Sequence, residues 1–159
     1  MEPEPTIRAL ADGERLAFQD DFVLSHVSRV PTAATPDAIL QYGIDRGGPN
    51  RLALLYVAER AGVGVPDADA RSAFVALSRK SEPYYAASTL VVPVSGLAAG
   101  TAYAFVNAVR VASGGRLPFA IFADVPHALA WLRQAVPVQT RLPSDDAIER
   151  LIARVRATP

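Results

Sequence analysis

The stretch that decides the fold is Leu52–Ala58, which reads LALLYVA. Every residue in it is apolar, whereas a strand with one face in water alternates apolar and polar residues. An unbroken run of this length is typical of a strand that is buried on both faces of a parallel sheet. It therefore predicts an α/β fold in which helices cover the sheet on both sides.

Elements of alternating type follow this strand toward the C-terminus. Such a strand–helix alternation predicts a parallel sheet with right-handed crossovers. The predicted elements are a helix over 66–80, a strand over 85–94, a helix over 97–112, a strand over 118–123 and a helix over 125–135 that is capped by Asp124.

Before Leu52–Ala58 the pattern is that of short strands and tight turns. The strands are predicted over 6–10, 15–18 and 22–27, with Asp12-Gly13 and Asp20-Asp21 between them. These strands would extend the sheet in antiparallel fashion, so the predicted sheet is mixed. A helix is expected to begin at Thr35-Pro36, with Thr35 as the N-cap.

The C-terminal part reads as a separate element. Residues 1–136 are predicted to form the α/β domain, 137–143 a linker and 144–156 an amphipathic helix capped by Ser144. An isolated helix of this length is marginal in water, so its apolar stripe must dock on its own domain or on a partner. The stripe consists of Ile148, Leu151, Ile152 and Val155, which we treat as candidate interaction residues.

The chain offers little of the side-chain chemistry that enzymes and metal sites use. It contains no cysteine, and His26 and His127 are not at a metal-ligand spacing. No phosphate-binding loop or nucleophile elbow is present, and Gly62-Val63-Gly64 is followed by the acidic Asp67. We therefore expect no cofactor, no metal and no catalytic residue.

The charge and hydropathy of the chain limit the classes of partner that we expect. The formal net charge is zero, which argues against nucleic acid held through phosphate contacts. The apolar runs are too short to span a membrane, and residues 1–6 do not resemble a secretory signal. The expected setting is the bacterial cytoplasm, and the expected partner is another protein or a second copy.

Two local features are candidate interaction or regulatory sites. Ser95-Gly96-Leu97 follows a buried strand and opens a helix, where free N–H groups favour an anion. Ser95 is also a good N-cap, and that role needs no ligand. Tyr84, beside Tyr85 at the start of a buried strand, could line an interface or simply be half-exposed.

The order of elements over residues 51–135 resembles the STAS domains, the anti-sigma-factor-antagonist group, and the related SpoIIAA-like proteins. STAS domains place a D-S-S-G-L motif where this chain has Ser95-Gly96-Leu97, although Pro93-Val94 stands in place of Asp-Ser. The segment 119–124 leading into Ala128-Leu-Ala-Trp-Leu132 is similar to the end of SpoIIAA-like chains. The resemblance implies a mixed sheet, no catalytic centre and a role in protein–protein regulation, sometimes through serine phosphorylation.

Three functions therefore stay open. The first is a non-enzymatic protein-binding or regulatory domain that acts through helix-end surfaces. The second is a structural subunit that docks through its C-terminal helix. The third is a small-ligand binder or enzyme at the carboxyl ends of the strands, where the available polar residues are Glu59, Arg60, Ser95 and Asp124. The sequence gives neither the partner nor the oligomeric state, nor whether Ser95 is phosphorylated.

Overall fold

The fold is a mixed six-stranded sheet with helices on both faces, seen in a computed structural model that describes residues 3–159. The predicted α/β class is confirmed, including the antiparallel N-terminal strands, the parallel remainder and the C-terminal helix. The strands are β1 (Thr6–Ala9), β2 (Arg15–Gln19), β3 (Phe22–Val27), β4 (Leu52–Ala58), β5 (Tyr85–Val91) and β6 (Phe119–Phe122). The helices are α1 (Ala34–Arg46), α2 (Ala68–Lys80), α3 (Leu97–Ser113), α4 (Val125–Ala135) and α5 (Asp145–Ala157).

The strands lie in the sheet in chain order, from β1 at one edge to β6 at the other. β1, β2 and β3 pair antiparallel, and β3 to β6 pair parallel. Because successive parallel crossovers turn the same way, α1, α2 and α3 lie side by side on one face. The other face carries α4 and α5.

Two apolar clusters on opposite faces of the sheet explain why the β4 sequence does not alternate. Leu55 and Val57 pack in the cluster that contains α4 and α5. Leu54 and Tyr56 pack in the cluster that contains α1 and α2. Since successive side chains point to opposite faces, both sets must be apolar when both faces are covered.

The start of α1 differs from the prediction. The helix begins at Ala34, and Thr32 Oγ1 accepts a hydrogen bond from the Ala34 N–H (3.2 Å). Thr35 lies inside the first turn and is buried, so its predicted role as the N-cap is wrong. Pro36 is tolerated there because N–H groups in the first helical turn have no intrahelical acceptor.

Segment 137–143, predicted to be a linker, is fixed to the N-terminal strands. The buried carboxylate of Asp21, in the β2–β3 turn, accepts a hydrogen bond from the Arg141 N–H (3.0 Å). It also accepts from Arg46 (3.1 Å) and Arg51 (3.0 Å), while the Thr140 hydroxyl donates to the Arg51 carbonyl (2.9 Å). These contacts fix the path of residues 137–143 along the sheet, so that the following helix α5 packs on this face.

Candidate functional site

The Ser95-Gly96-Leu97 junction forms an open surface at the start of α3. The N-cap is Gly96, with φ 69° and ψ −139°, so the predicted N-cap role of Ser95 is wrong. A side chain at Gly96 would meet no atom within 4 Å, but the positive φ favours glycine. Leu97 is 93% exposed, although it is a large apolar residue at the first helical position.

The outer face of α3 continues this exposed apolar surface along the helix. The helix has no buried residue, and Arg110 is the one charged residue within it. Val111 is 85% exposed. Besides Leu97 and Val111, the exposed side of the helix carries Gly100, Tyr103, Ala104, Asn107, Ala108, Arg110 and Ala112.

The open edge of β6 lies on the same side of the molecule. β6 is the last strand of the sheet, α3 is the last helix of its row, and residues from both line one cavity. The Phe122 carbonyl accepts from the Val92 N–H after β5 (2.9 Å). Because backbone groups alternate along a strand, the N–H and C=O of Phe119 and Ile121 point away from β5. We call the outer face of α3 together with this open edge the α3–β6 surface.

β6 is a short edge strand that lacks the charged side chains by which many edge strands are protected. Its sequence is FAIF, and all four residues are half-buried. Native edge strands are commonly blunted by charged side chains, which keep other strands from pairing with them. No charged residue lies within β6, so its edge is free to pair.

Tyr84 and Tyr85 hold α1 against the sheet. Tyr85 is buried and donates a hydrogen bond from its hydroxyl to the Ile39 carbonyl (2.7 Å). Burial raises the pKa of the Tyr85 hydroxyl above its ordinary value. Tyr84 is half-buried beside Gly43, where an added Cβ would meet the Tyr84 Cβ at 3.0 Å. The structure thus places Tyr84 against α1 and away from the Ser95 junction.

The apolar stripe of the C-terminal helix is buried in the chain's own core. All four residues belong to the cluster formed with α4 and the sheet: Ile148, Leu151, Ile152 and Val155. The question of where this helix docks, which the sequence left open, is answered by packing against β2 and β3. A partner could use the stripe only if the helix left the sheet.

The polar residues at the carboxyl ends of the strands are engaged in separate contacts. Glu59 binds His26 Nε2 (3.1 Å) and Arg156 Nε (2.6 Å). Burial raises the pKa of the Glu59 carboxyl, but these hydrogen bonds outweigh it and the pKa is lowered. Asp124 caps α4 and binds the His127 ring (2.7 Å). Its pKa is lowered, first by the hydrogen bond from the His127 backbone N–H.

These groups do not assemble into a set with catalytic roles. Ser95 is exposed at the start of α3 and makes no part of the Glu59 or Asp124 contacts. Within residues 3–159, no three side chains of the metal-ligating types lie close enough together to hold an ion.

The α3–β6 surface was not predicted from the sequence, although a signal was present. A 17-residue helix with a single charged residue is apolar around most of its circumference. Such a helix is normally covered on all sides, so the composition itself pointed to an interface.

No helix among the described residues is long and apolar enough to cross a bilayer. Comparison of the chain with protein-family models, with curated proteins and with solved structures gives no match.

Proposed function

We propose that this chain is a non-enzymatic, STAS-like protein-binding domain, and that it binds a second copy of itself through the α3–β6 surface. The observation that carries the proposal is α3, a helix with no buried residue, whose exposed side carries Leu97, Tyr103 and Val111 and the single charge of Arg110. Contiguous exposed apolar surface on a soluble protein marks an interaction site. The resemblance to STAS and SpoIIAA-like domains supports the same class of function.

The chemistry of the surface favours a copy of the same chain as its partner. Arg110 is the single charge on the exposed side of α3, which gives little basis for selecting a different protein of opposite charge. Gly100, Ala104 and Ala108 recur at every fourth position, so two helices could approach closely. Asn107 can both donate and accept, and an amide of this kind can pair with its own symmetry mate.

A single two-fold axis would place both parts of the α3–β6 surface, the β6 edge and α3, next to the same parts of a second copy. Antiparallel pairing of β6 with the β6 strand of a second copy requires a two-fold axis perpendicular to the sheet. This axis keeps both α3 helices on the same side of the joined sheets, next to each other and antiparallel. The strand edges gain hydrogen bonds, and the helices cover each other's apolar faces.

The experiment is sedimentation velocity over a dilution series, on the wild type and two variants. Val111→Glu places a charge on the outer face of α3, and Val138→Glu is the matched control at a residue that is 101% exposed in the 136–140 turn region. Burying a valine contributes about 1.5–3 kcal/mol, and a symmetric dimer loses two such contacts. Dimerisation of Val111→Glu should therefore weaken at least about a hundredfold.

We expect the wild type and Val138→Glu to dimerise, and Val111→Glu to be monomeric, with the unfolding midpoint that the wild type shows when it is diluted to the monomer. A wild type that stays monomeric at every concentration contradicts the proposal. Equal dimerisation of both variants contradicts the assigned surface.

A further inference from the structure

An apolar cavity of about 140 Å³ lies beneath α3, between that helix, α2 and the sheet. Tyr56, Ser88 and Leu90 line it from the sheet. Phe105 lines it from α3 and Phe74 from α2. The cavity is partly open to solvent, and its wall is almost entirely apolar.

α3 is held in place by α2, and none of its residues is buried. Phe74 and Phe105 meet edge-to-face with ring centroids 5.4 Å apart. The Ser78 hydroxyl donates to the Ser113 hydroxyl (2.8 Å), which ties the C-terminal ends of the two helices together. No α3 residue belongs to either core cluster, so the space below the helix is not filled by its side chains.

One buried polar group in the wall has no partner. Ser81, which ends α2, is 1% exposed, and its hydroxyl makes no hydrogen bond within the described part of the chain. Buried hydroxyl groups in native proteins are generally paired, because leaving one unpaired is costly. Since Ser81 lines the cavity, a ligand there could supply the missing hydrogen bond.

The wall of the cavity is almost entirely apolar, which favours an uncharged ligand. Arg110 is the only charged residue of the lining, and it is exposed in the last turn of α3. Ser81 lies at the same end, where the C-termini of α2 and α3 meet. The Arg110 side chain is exposed to water at this end, so its charge does not need to pair with a ligand in the cavity.

We propose that this cavity binds a small uncharged molecule, with a hydrocarbon part of about six to eight carbons and one hydrogen-bonding group. A cavity of similar volume in another protein holds benzene, which sets the size of the hydrocarbon part. The hydrocarbon fills the space under α3, and the polar group pairs with the Ser81 hydroxyl. This site is separate from the α3–β6 surface, which lies on the outer side of the same helix.

The test is isothermal titration calorimetry with 1-hexanol, benzene and hexanoate as probes. We expect saturable binding of 1-hexanol and benzene and markedly weaker binding of hexanoate. Ser81→Ala should weaken 1-hexanol about two- to tenfold, the loss of one hydrogen bond, and leave benzene unchanged. Ser95→Ala, at an exposed serine outside the cavity, should change neither affinity.

A second variant tests the location. Ala102 lines the cavity from α3, and Ala102→Leu should fill the space and abolish binding of both neutral probes while the protein stays folded. Absence of saturable binding to the wild type, or binding that survives Ala102→Leu, overturns the proposal. Tighter binding of hexanoate than of 1-hexanol overturns the assigned ligand class. The monomeric Val111→Glu variant should still bind 1-hexanol, so this test and that of the dimer can fail independently.

Discussion

Replacing Leu151 by alanine tests whether α5 is a structural part of the core or an interaction element resting on it. Leu151 is 1% exposed and packs in the cluster that joins α5, α4 and the sheet. Arg150, its neighbour on the same helix, is exposed. Arg150→Ala is therefore a control that keeps the helix and changes no buried contact.

The expected cost of Leu151→Ala follows from its complete burial. Leucine-to-alanine changes in packed cores cost about 2.7–5 kcal/mol, of which part is the cavity left behind. Because α5 is packed on one side only, the helix can partly settle into the void, so we expect about 3 kcal/mol. With a urea m-value of about 2 kcal/mol per molar, the unfolding midpoint should fall by about 1.5 M.

Urea unfolding followed by tryptophan fluorescence measures this directly. Trp131, the only tryptophan, packs against Phe122 in the same cluster, with ring centroids 6.2 Å apart. Arg150→Ala should change the free energy of unfolding by less than about 0.5 kcal/mol. If Leu151→Ala shifts the midpoint no more than this control, α5 does not contribute to the core. The apolar stripe of α5 would then again be a candidate interaction surface.

Two further predictions concern charged groups. Asp21→Ala should lower the free energy of unfolding by about 1.5–3 kcal/mol, because charge-assisted hydrogen bonds are lost while both arginine partners can still reach water. Asp21→Asn should lower the free energy of unfolding by less. An unchanged urea midpoint for both variants would contradict a stabilising role of Asp21. Glu59 has a lowered pKa in the fold, so its stabilisation is present above the ordinary value of 4.5 and is lost as the pH falls through the folded value. The difference in urea midpoint between wild type and Glu59→Gln should therefore shrink from pH 5.5 to pH 3, and a constant difference would refute the linkage.

The parts of the fold that the sequence predicted well are those where periodicity and end signals agree. Leu52–Ala58 and Val125–Ala135 have the predicted bounds, since an unbroken apolar run defines the first and Asp124 caps the second. The start of α1 was misplaced because Thr35-Pro36 matches the pattern of a helix start, whereas the N-cap is Ala33, which has no capping side chain. Thr35 is the second residue of the helix, and its burial there follows from tertiary packing.

The candidate site was predictable only in part, because it depends on what the helices leave uncovered. The Ser95-Gly96-Leu97 junction was located, but the extent of exposure along α3 is a property of its packing. The apolar pattern of a helix in the sequence is the same whether the helix packs on a sheet or lies above a cavity. Likewise, nothing local in the sequence of Ser81 reveals that its hydroxyl is buried without a partner.

The position of α5 has a consequence for the synthesis of this protein. The helix covers the face of β2 and β3, which leave the ribosome well before residues 145–157 are made. At about 5–20 residues per second, that delay is on the order of ten seconds. During this time one apolar side of the nascent hairpin has no cover, and the Arg141 N–H that bonds Asp21 does not yet exist. The first strands therefore reach their final state only after translation of α5.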